Sequence, residues 1–361
     1  MIPRKGPQKI SVFYIRLLTF GGFIVLWNAC KNEPSGSFTS HTVGHQFVFL
    51  DSIKASSALL DDDAEAFFER VSRLDMSIQM KRNYPKEISR DSILYDYRYF
   101  LERDVQDFSE SEKEIVEKIL LEIERLCTQF SPDIFPKKVE LIKTKGKHYG
   151  NGVYYTRENR IIIPANELET PNPVALREVL THEMFHIYSR QHPEKRTELY
   201  ALIGFRELED VLILPSAIES RLLLNPDGVE IDWAIRLAIG NQDTVSAVPI
   251  IIANAPAYLP ERESYFEYID FNLYPVVQDV NGFQIVLDSL GHSPLRINEL
   301  PDFQRQIGDN TFYIIHPDEI LADNFKWLIL AQTKEKNYNL EQFSENGQTL
   351  LKKIEQVLRS K

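Results

Sequence analysis

Apolar residues recur at three- and four-residue spacing through three stretches between residues 61 and 130, a period typical of amphipathic helices. The stretches are DDDAEAFFERVSRLDMSIQ, DSILYDYRYFLERDVQDF and SESEKEIVEKILLEIERLCTQF. Asp91 or Ser92 can cap the second helix, and Ser109 or Ser111 the third. The chain from about residue 47 to residue 132 is therefore predicted to be mostly helical.

The pattern then changes to alternating and β-branched residues. KKVELIKT and GVYYTRENRIIIP predict strands, with a hairpin at Arg157-Glu158-Asn159. A helix follows: Asn172 can cap it, Pro173 suits its first position, and Gln191-His192-Pro193 ends it after Arg190. EKRTELYALIG predicts a second helix that ends at Gly204.

Residues 205 to 310 are rich in Pro, Asp and Asn and contain only short apolar runs, such as DVLILP, AVPIIIANAP and FQIVL. We expect irregular structure with short strands there. FYIIHPDEILADNFKWLILAQT predicts a short strand and then an apolar helix that starts near Pro317. No linker interrupts residues 49 to 361, so the sequence indicates one domain with two lobes.

The first 30 residues have the pattern of an export signal. Four basic residues precede an uncharged apolar run, 17–27, that is shorter than a membrane span needs. The run ends in Trp27-Asn28-Ala29-Cys30, which resembles a bacterial lipoprotein signal, in which the cysteine becomes the lipidated first residue. A leucine is common three residues before that cysteine, whereas here Trp27 stands there and Leu26 precedes it.

This resemblance implies a signal peptide over residues 1–30, lipidation of Cys30 and a protein exported to the cell envelope, lipid-anchored to a bacterial membrane. A plain signal peptide or an N-terminal anchor helix are the alternatives. Residues 31–46 are polar with Pro, Gly and Ser and predict a flexible tether. The catalytic domain would then span residues 47–361.

Composition limits the classes of partner. Of 361 residues, 43% are hydrophobic, which is enough for a large globular domain, and the net charge is −12. An acidic chain is not expected to bind nucleic acid or a membrane surface through a basic face. Cys30 and Cys127 are too few for a disulfide framework or a thiolate zinc site, and Cys127 is predicted to be a buried apolar residue.

The predicted helix over 172–190 contains His182-Glu183-Met184-Phe185-His186. Residues four apart lie on the same helix face, so His182 and His186 can both bind one ion. Glu183 follows His182 and projects from a neighbouring part of the helix surface. From there its carboxylate can reach a water molecule on a zinc ion and take its proton. The alternative is two surface histidines on an ordinary helix, and a third ligand decides between them.

Three positions compete for the third ligand. His192 gives H-E-x-x-H-x-x-S-x-x-H, the ligand spacing of the metzincin group, but Ser189 replaces the glycine used there. The methionine turn of that group is also missing, since Met184 is the last methionine of the chain. The second option is a nearby carboxylate from the helix or turn that follows: Glu198, Glu207 or Glu209.

The third option lies far downstream in HPDEILADNF, where Glu319, Ala322 and Asp323 form E-x-x-A-D. Together with H-E-x-x-H this resembles the gluzincin metallopeptidases. The resemblance implies that Glu319 is the third zinc ligand and that Ala322 lets two helices approach closely. It also implies that Asp323 accepts a hydrogen bond from a ligand histidine, expected to be His182, and so fixes its tautomer.

A looser resemblance, over residues 92 to 330, is to a group of functionally uncharacterised bacterial H-E-x-x-H proteins. It is carried by segments such as VYYTRENRIIIP, LLNPDG and YIIHPDEILADNF and implies one catalytic domain without naming a substrate. About 130 residues separate His186 from Glu319, far more than in thermolysin-like enzymes. A large insertion is therefore expected to fold around or over the cleft.

Two further parts of the chain could complete a peptidase site. The hairpin GVYYTRENRIIIP can offer an edge strand to a peptide, although it can also be an ordinary hairpin of the core. Tyr313 and His316 are the candidates for stabilising the oxyanion. The weaker candidates are Tyr188, Arg196 and Tyr200.

These observations predict an α+β, zincin-like fold: a small twisted sheet over an active-site helix, with surrounding helices. The predicted function is a zinc-dependent peptidase acting on a peptide or protein substrate, with Glu183 as general base. Two alternatives stay open: a zinc-bearing envelope protein that binds a partner or cell-wall peptide without catalysis, and a metal-free structural lipoprotein.

Overall fold

The computed structural model describes residues 38–41, 46–62, 66–240 and 243–360, and for 38–41 the backbone alone. The predicted signal peptide with Cys30, and most of the predicted tether, lie outside these residues. Within the described ranges, no helix has the length and apolar character needed to cross a membrane.

Helices and strands alternate irregularly along the chain, which gives a mixed α+β structure with twisted sheets. The helices are α1 (Ser52–Leu59), α2 (Phe67–Arg70), α3 (Arg73–Gln79), α4 (Arg90–Glu102), α5 (Glu110–Phe130), α6 (Asn166–Glu169), α7 (Pro173–Gln191), α8 (Pro193–Leu202), α9 (Ser216–Glu219), α10 (Pro301–Ile307), α11 (Pro317–Ala331) and α12 (Glu345–Arg359). The strands are β1 (Phe38–His41), β2 (Gln46–Phe49), β3 (Val105–Gln106), β4 (Lys138–Thr144), β5 (Tyr155–Arg157), β6 (Arg160–Pro164), β7 (Phe205–Glu207), β8 (Leu212–Ile213), β9 (Trp233–Ile239), β10 (Asp243–Ala253), β11 (Ile269–Asp279) and β12 (Gly282–Ile285).

The first sheet has the order β1-β2-β4-β6-β5, and β3 pairs with the end of β4. Strands β2, β4 and β6 are parallel, whereas β5 is antiparallel to β6 and forms an edge. Side chains alternate between two cores, as the pleat requires: Ile161 and Ile163 face α5 and α7, and Ile162 faces the core with α1 to α4. The predicted hairpin is confirmed, with Glu158 in the left-handed region at its turn.

The second sheet has the order β7-β9-β10-β11-β12-β8 and is antiparallel except between β12 and β8. It lies within residues 205 to 310, where irregular structure with short strands was predicted. Strands β8, β10 and β12 do form at the apolar runs DVLILP, AVPIIIANAP and FQIVL, but they belong to one extended sheet, so the expected irregular structure is wrong. Strands β10 and β11 each have 11 residues and pair from Ser246–Val276 to Ala253–Ile269. The described part of the chain therefore forms two six-stranded sheets rather than one small sheet.

Two prolines explain why only a short strand was predicted within β10 and none within β11. Proline has no N–H to donate and is rare inside central strands. Pro249 of β10 lies just beyond Ala247, the last residue of β10 that pairs with β9. Pro275 of β11 lies just before Val276, where the pairing with β12 begins. At both positions a neighbouring strand has ended, so the missing donor leaves no ladder partner unsatisfied.

Local capping rules set the starts of α7 and α5, and both caps were predicted from the sequence. Asn172 Oδ1 accepts from the backbone amides of Val174 and Ala175, and Pro173 opens α7 as predicted. Ser109 caps α5 with a reciprocal bond from Glu112. In contrast, α4 begins one residue after Ser89, which is its cap, and not at Asp91 or Ser92.

Two other predicted elements differ from the structure. The single helix expected over residues 61–79 is divided into α2 and α3, because Val71 is extended and Ser72 caps a new helix. No strand forms over the described residues 312–316, which form a loop before α11. Helix α11 itself starts at Pro317 as predicted.

Helices α7 and α11 pack against each other in the core that holds most of α5, α8 and α12. Ala322 of α11 is fully buried in this core, together with Phe325 and with Phe185 of α7. The aromatic rings of Phe185 and Phe325 lie 5.6 Å apart, which ties the two helices together one turn beyond Ala322. A small side chain at position 322 thus allows the close approach of the helices.

We expect Ala322→Leu to destabilise the fold by about 1–3 kcal/mol, because a larger side chain overpacks this contact. Denaturant unfolding measures the change. Ala331→Leu is the control, since Ala331 lies at the partly exposed end of the same helix. It should change the free energy of unfolding by less than about 0.5 kcal/mol. Equal stabilities for the two variants would contradict tight packing at Ala322.

Candidate metal centre

Two histidines of α7 and a glutamate of α11 meet in the interior. The His182 and His186 rings are 4.9 Å apart between centroids. Glu319 Oε2 lies 3.0 Å from His182 Nε2 and 3.6 Å from His186 Nε2. His186 and Glu319 are no more than 1% exposed, so the three donor atoms converge at a buried point.

The donor atoms fit a cation. Nitrogen and oxygen ligands held about 2.0–2.1 Å from a tetrahedral ion lie about 3.3 Å apart, close to the two distances observed. His186 Nε2 is buried and has no hydrogen-bond partner, although buried polar atoms are almost always satisfied. His182, His186 and Glu319 are thus close enough to hold a metal ion.

Asp323 lies behind His182, on the side away from Glu319. In the metal-free protein, His182 Nδ1 donates to Asp323 Oδ1 at 3.1 Å and Nε2 donates to Glu319 Oε2 at 3.0 Å. Because Asp323 retains the Nδ1 proton, loss of the Nε2 proton would leave the Nε2 lone pair for a metal ion. Thr311 Oγ1 donates to the other oxygen of Asp323, and Lys326 Nζ also donates to the carboxylate. The His182–Asp323 contact has the geometry that the gluzincin resemblance implies.

Asp318 accepts a hydrogen bond from His186 as Asp323 does from His182, and this role was not predicted from the sequence. His186 Nδ1 donates to Asp318 Oδ2 at 2.6 Å. Ser189 Oγ and Tyr200 Oη donate to Asp318 Oδ1 at 2.6 and 2.8 Å. Ser189, which departs from the metzincin glycine, therefore fixes this carboxylate, and Tyr200 is used here and not on an oxyanion. The only sequence signal was an aspartate directly before Glu319.

His316 occupies the N-cap of α11. Its Nδ1 accepts from the backbone amide of Asp318 at 3.1 Å, and its Nε2 donates to the backbone carbonyl of Glu230 at 3.0 Å. Burial lowers the pKa of His316, so the ring is neutral. Both ring nitrogens are engaged. We therefore correct its predicted role: His316 caps the helix that presents Asp318 and Glu319 and has no N–H left for an oxyanion.

Glu183 lies beside the atoms that could hold the metal ion. It is 4% exposed, and its Oε2 is buried without a hydrogen-bond partner. Burial raises the pKa of Glu183, the carboxylate of Asp227 raises it further, and the two imidazoles act in the opposite direction. A carboxylate with a raised pKa and a free oxygen is able to take up a proton in this pocket.

Tyr313 lies over the His182 ring, with centroids 6.1 Å apart and planes within 28°. The residue is 37% exposed, yet burial around its hydroxyl raises its pKa well above the usual value, and Glu319 and Asp227 contribute. Its backbone amide donates to Thr311 Oγ1 at 2.8 Å. Tyr313 thus lies against the His182 ring at the edge of the centre, and its side chain is partly exposed.

A segment between α9 and β9 also reaches the centre. Asn225 Nδ2 donates to Glu319 Oε1 at 2.7 Å. Asp227 offers a carboxylate oxygen that, with a ring nitrogen of His186 and a carboxylate oxygen of Glu183, forms a second group within 4.8 Å. Neither residue was predicted as part of the site. The signal available was Asn225-Pro226-Asp227-Gly228, a turn sequence inside the large insertion.

The competing third ligands lie elsewhere. His192 stacks on Tyr188 at 4.4 Å and its Nδ1 bonds to the Tyr188 carbonyl oxygen. Glu198 is beside Lys195, and Arg196 pairs with Glu230. Of the described residues, only those of the two groups already named are close enough to hold a metal ion, and these groups include none of His192, Glu198, Glu207 and Glu209.

The predicted edge strand is next to the centre, but its outward amide is used. Thr156 of β5 has β6 on one side only. Its backbone N–H donates to Asp227 Oδ1 at 2.6 Å, and its Oγ1 donates to the same oxygen at 2.7 Å. The edge is therefore occupied by a segment of the chain itself.

The charges of the centre stabilise one another in the metal-free protein. Burial lowers the pKa of His182, but hydrogen bonds to Asp323 and Glu319 outweigh burial and raise it to about 9. For Glu319, burial acts to raise the pKa, and the imidazoles of His186 and His182 hold it well below its usual value. A cation bound between these ligands would replace the Nε2 protons of the two rings, and the Nδ1 protons would stay on the bonds to Asp323 and Asp318.

No protein-family model matches the chain, and neither do the curated proteins or the solved structures with which it was compared. The functional interpretation therefore depends on the geometry of the chain's own residues.

We expect Asp318→Asn to weaken metal binding by roughly 10–100-fold, because His186 loses the carboxylate that orients its ring. Competition with a chromophoric chelator measures the affinity. Asp309→Asn is a control for the loss of one negative charge, since Asp309 bonds to Ser344 and not to the centre. Equal affinities in both variants would contradict the orienting role.

The metal-free protein should lose stability as pH rises from about 6.5 to 9. A group whose pKa is raised on folding stabilises the fold at pH values below its unfolded pKa, and this contribution disappears as pH rises through its folded pKa, here about 9 for His182. Thermal unfolding after chelator treatment measures the effect. His182→Gln should reduce the slope, whereas an unchanged slope would contradict it.

Proposed function

We propose that the protein is a zinc-dependent hydrolase that cleaves peptide bonds. The observation that carries the proposal is the convergence of His182, His186 and Glu319 beside the unpartnered oxygen of Glu183. Three protein ligands with a nearby buried carboxylate are the arrangement of hydrolytic zinc sites.

Zinc is favoured by the donor set. Two imidazoles and one carboxylate suit zinc better than magnesium or calcium, which prefer oxygen ligands alone. The two carboxylates behind the rings, Asp318 and Asp323, are typical of zinc-bound histidines. The gluzincin motif and the position of the β5 edge next to α7 support a zincin-like catalytic core.

The chain's own residues supply the remaining chemistry. When bound, zinc acts as a Lewis acid that polarises a carbonyl and makes a water molecule nucleophilic near neutral pH. Glu183 takes the proton from the attacking water and passes it to the departing amide nitrogen. Asp323 and Asp318 hold the imidazoles in the binding tautomer. Tyr313 is the candidate donor to the oxyanion, since its ring lies against His182.

We further propose that the enzyme acts in the bacterial cell envelope as an exported lipoprotein anchored through Cys30. This rests on the basic and apolar pattern of residues 1–27 and on the Trp27-Asn28-Ala29-Cys30 junction. Peptides or proteins of the envelope would then be the substrates. Metabolic labelling with a palmitate analogue, compared between wild type and Cys30→Ser, tests the anchor.

A second candidate function is favoured by the position of Asp227. Its carboxylate lies within 4.8 Å of His186, so a fourth protein ligand could close the centre permanently. Zinc with four protein ligands is structural. In that case the protein would hold zinc and bind a partner or cell-wall peptide without hydrolysis.

We expect Glu183→Gln to keep about one zinc ion per chain and to lower peptide hydrolysis by roughly 10²–10⁴-fold, because the proton acceptor is lost. Elemental analysis of protein purified without chelators and a quenched peptide library measure the two quantities. Glu178→Gln is the matched control on the same helix, since Glu178 only accepts a bond from Tyr338.

Turnover retained in Glu183→Gln would remove the proposed base. If the wild type, Gly228→Ala and Asp227→Asn all bind zinc and none of them hydrolyses peptides, the second candidate function is favoured. Protein that contains no metal would contradict both.

A further inference from the structure

Residues 222–230, here termed the cover segment, pass over the metal centre. Its tip is Asn225-Pro226-Asp227-Gly228, in which the Gly228 amide donates to the Asn225 carbonyl oxygen at 3.3 Å. Asn at the first position, Pro at the second and Gly at the fourth favour a tight turn of this kind. The turn is therefore a local, self-supporting structure that presents Asp227 at a defined position.

The two ends of the cover segment are attached to different parts of the fold. Leu223 N donates to Ile251 O of β10 at 3.0 Å, and Leu224 N donates to the carboxylate of Asp75 at 3.0 Å. At the other end, the Glu230 carbonyl accepts from His316 Nε2. The four-residue tip lies between these attachment points.

The tip is held over the centre by contacts to β5, α7 and α11. Thr156 donates twice to Asp227 Oδ1, and Arg190 Nη2 donates to the Asp227 carbonyl oxygen at 3.1 Å. Asn225 donates to the metal-binding residue Glu319. Asp227 is only 7% exposed, so its charge is withdrawn from water and directed into the centre.

The tip takes the place that an extended peptide would take. A peptide added to the β5 edge would accept the Thr156 N–H with a backbone carbonyl oxygen. Here the Asp227 carboxylate accepts that N–H, and the same side chain approaches His186 and Glu183. One residue therefore blocks both the strand edge and the reacting position.

We propose that Asp227 is the fourth ligand of the bound metal ion and that the cover segment is a built-in inhibitor, which a peptide displaces by taking over the Thr156 amide. This inference rests on the proposed function for the displacement step. For the ligand it rests on the group that Asp227 forms with His186 and Glu183, which shares His186 with the group of His182, His186 and Glu319. In an open molecule, whose tip has moved away, three protein ligands hold the ion. In the absence of peptide, the tip covers the centre and the molecule is closed. Activity therefore scales with the fraction of molecules whose tip has moved.

Substitution of the ion by Co²⁺ tests the ligand, because its visible absorption depends on coordination number and donor set. Asp227→Asn keeps an oxygen that can accept from Thr156 but replaces the carboxylate with a poor ligand. We expect shifted absorption bands and a spectrum that responds to added azide, whereas the wild type should not respond. Asp232→Asn is the matched control, since Asp232 belongs to neither metal-capable group.

Gly228→Ala tests the cover without changing any proposed ligand. A Cβ at position 228 would lie 2.3–2.9 Å from the His316 ring, which is fixed at both nitrogens. The tip must therefore move away. We expect faster hydrogen exchange at residues 225–229 and peptide hydrolysis raised by about tenfold or more.

The outcomes are distinguishable. Co²⁺ spectra that are identical in wild type and Asp227→Asn, with no azide response in either, would overturn the ligand assignment. Faster exchange in Gly228→Ala with hydrolysis equal to wild type would overturn the inhibitory role. An open Co²⁺ site in Asp227→Asn, in a protein that never hydrolyses peptides, would support the ligand and remove the proposed peptidase activity.

Discussion

The buried contact between Glu319 and the two imidazoles of α7 is the constraint on which the site depends. Taking a carboxylate out of water is costly unless it is paired, and Glu319 is 1% exposed. In the metal-free protein, its pairing requires protons on His182 or His186. Asp318 and Asp323 lie behind the rings and stabilise positive charge there. The arrangement thus collects negative charge around one point, and a divalent cation neutralises it better than protons can.

Much of this centre could be predicted because its parts obey local rules. Asn172 and Pro173 set the start of α7, and that start fixes which face carries His182 and His186. The E-x-x-A-D sequence placed a candidate ligand, Glu319, and the hydrogen-bond partner of His182, Asp323, on one helix. The small residue between them is buried at the helix contact. Each of these relations spans only a few residues, so the sequence contains it in full.

The remaining features depend on contacts between distant parts of the chain. The full length of β10 and the whole of β11 were not predicted, because Pro249 and Pro275 contradict the usual strand pattern and only the lengths of the neighbouring strands make them acceptable. His316 was taken for a catalytic group because it lies close to Glu319, whereas the carbonyl of Glu230 determines its role. Asp227 carries no local signal beyond its turn, since its neighbours belong to β5 and α7.

The long insertion between His186 and Glu319 links the metal centre to its cover. The chain leaves α7, builds the second sheet and returns to α11, and the cover segment crosses the centre on the way. A bound ion and a bound peptide would therefore act on the same four residues at the tip. If Asp227 binds the ion, metal favours the closed tip, and a peptide on Thr156 favours the open one. Binding free energies are reciprocal, so a peptide must weaken metal binding by the factor by which metal weakens peptide binding.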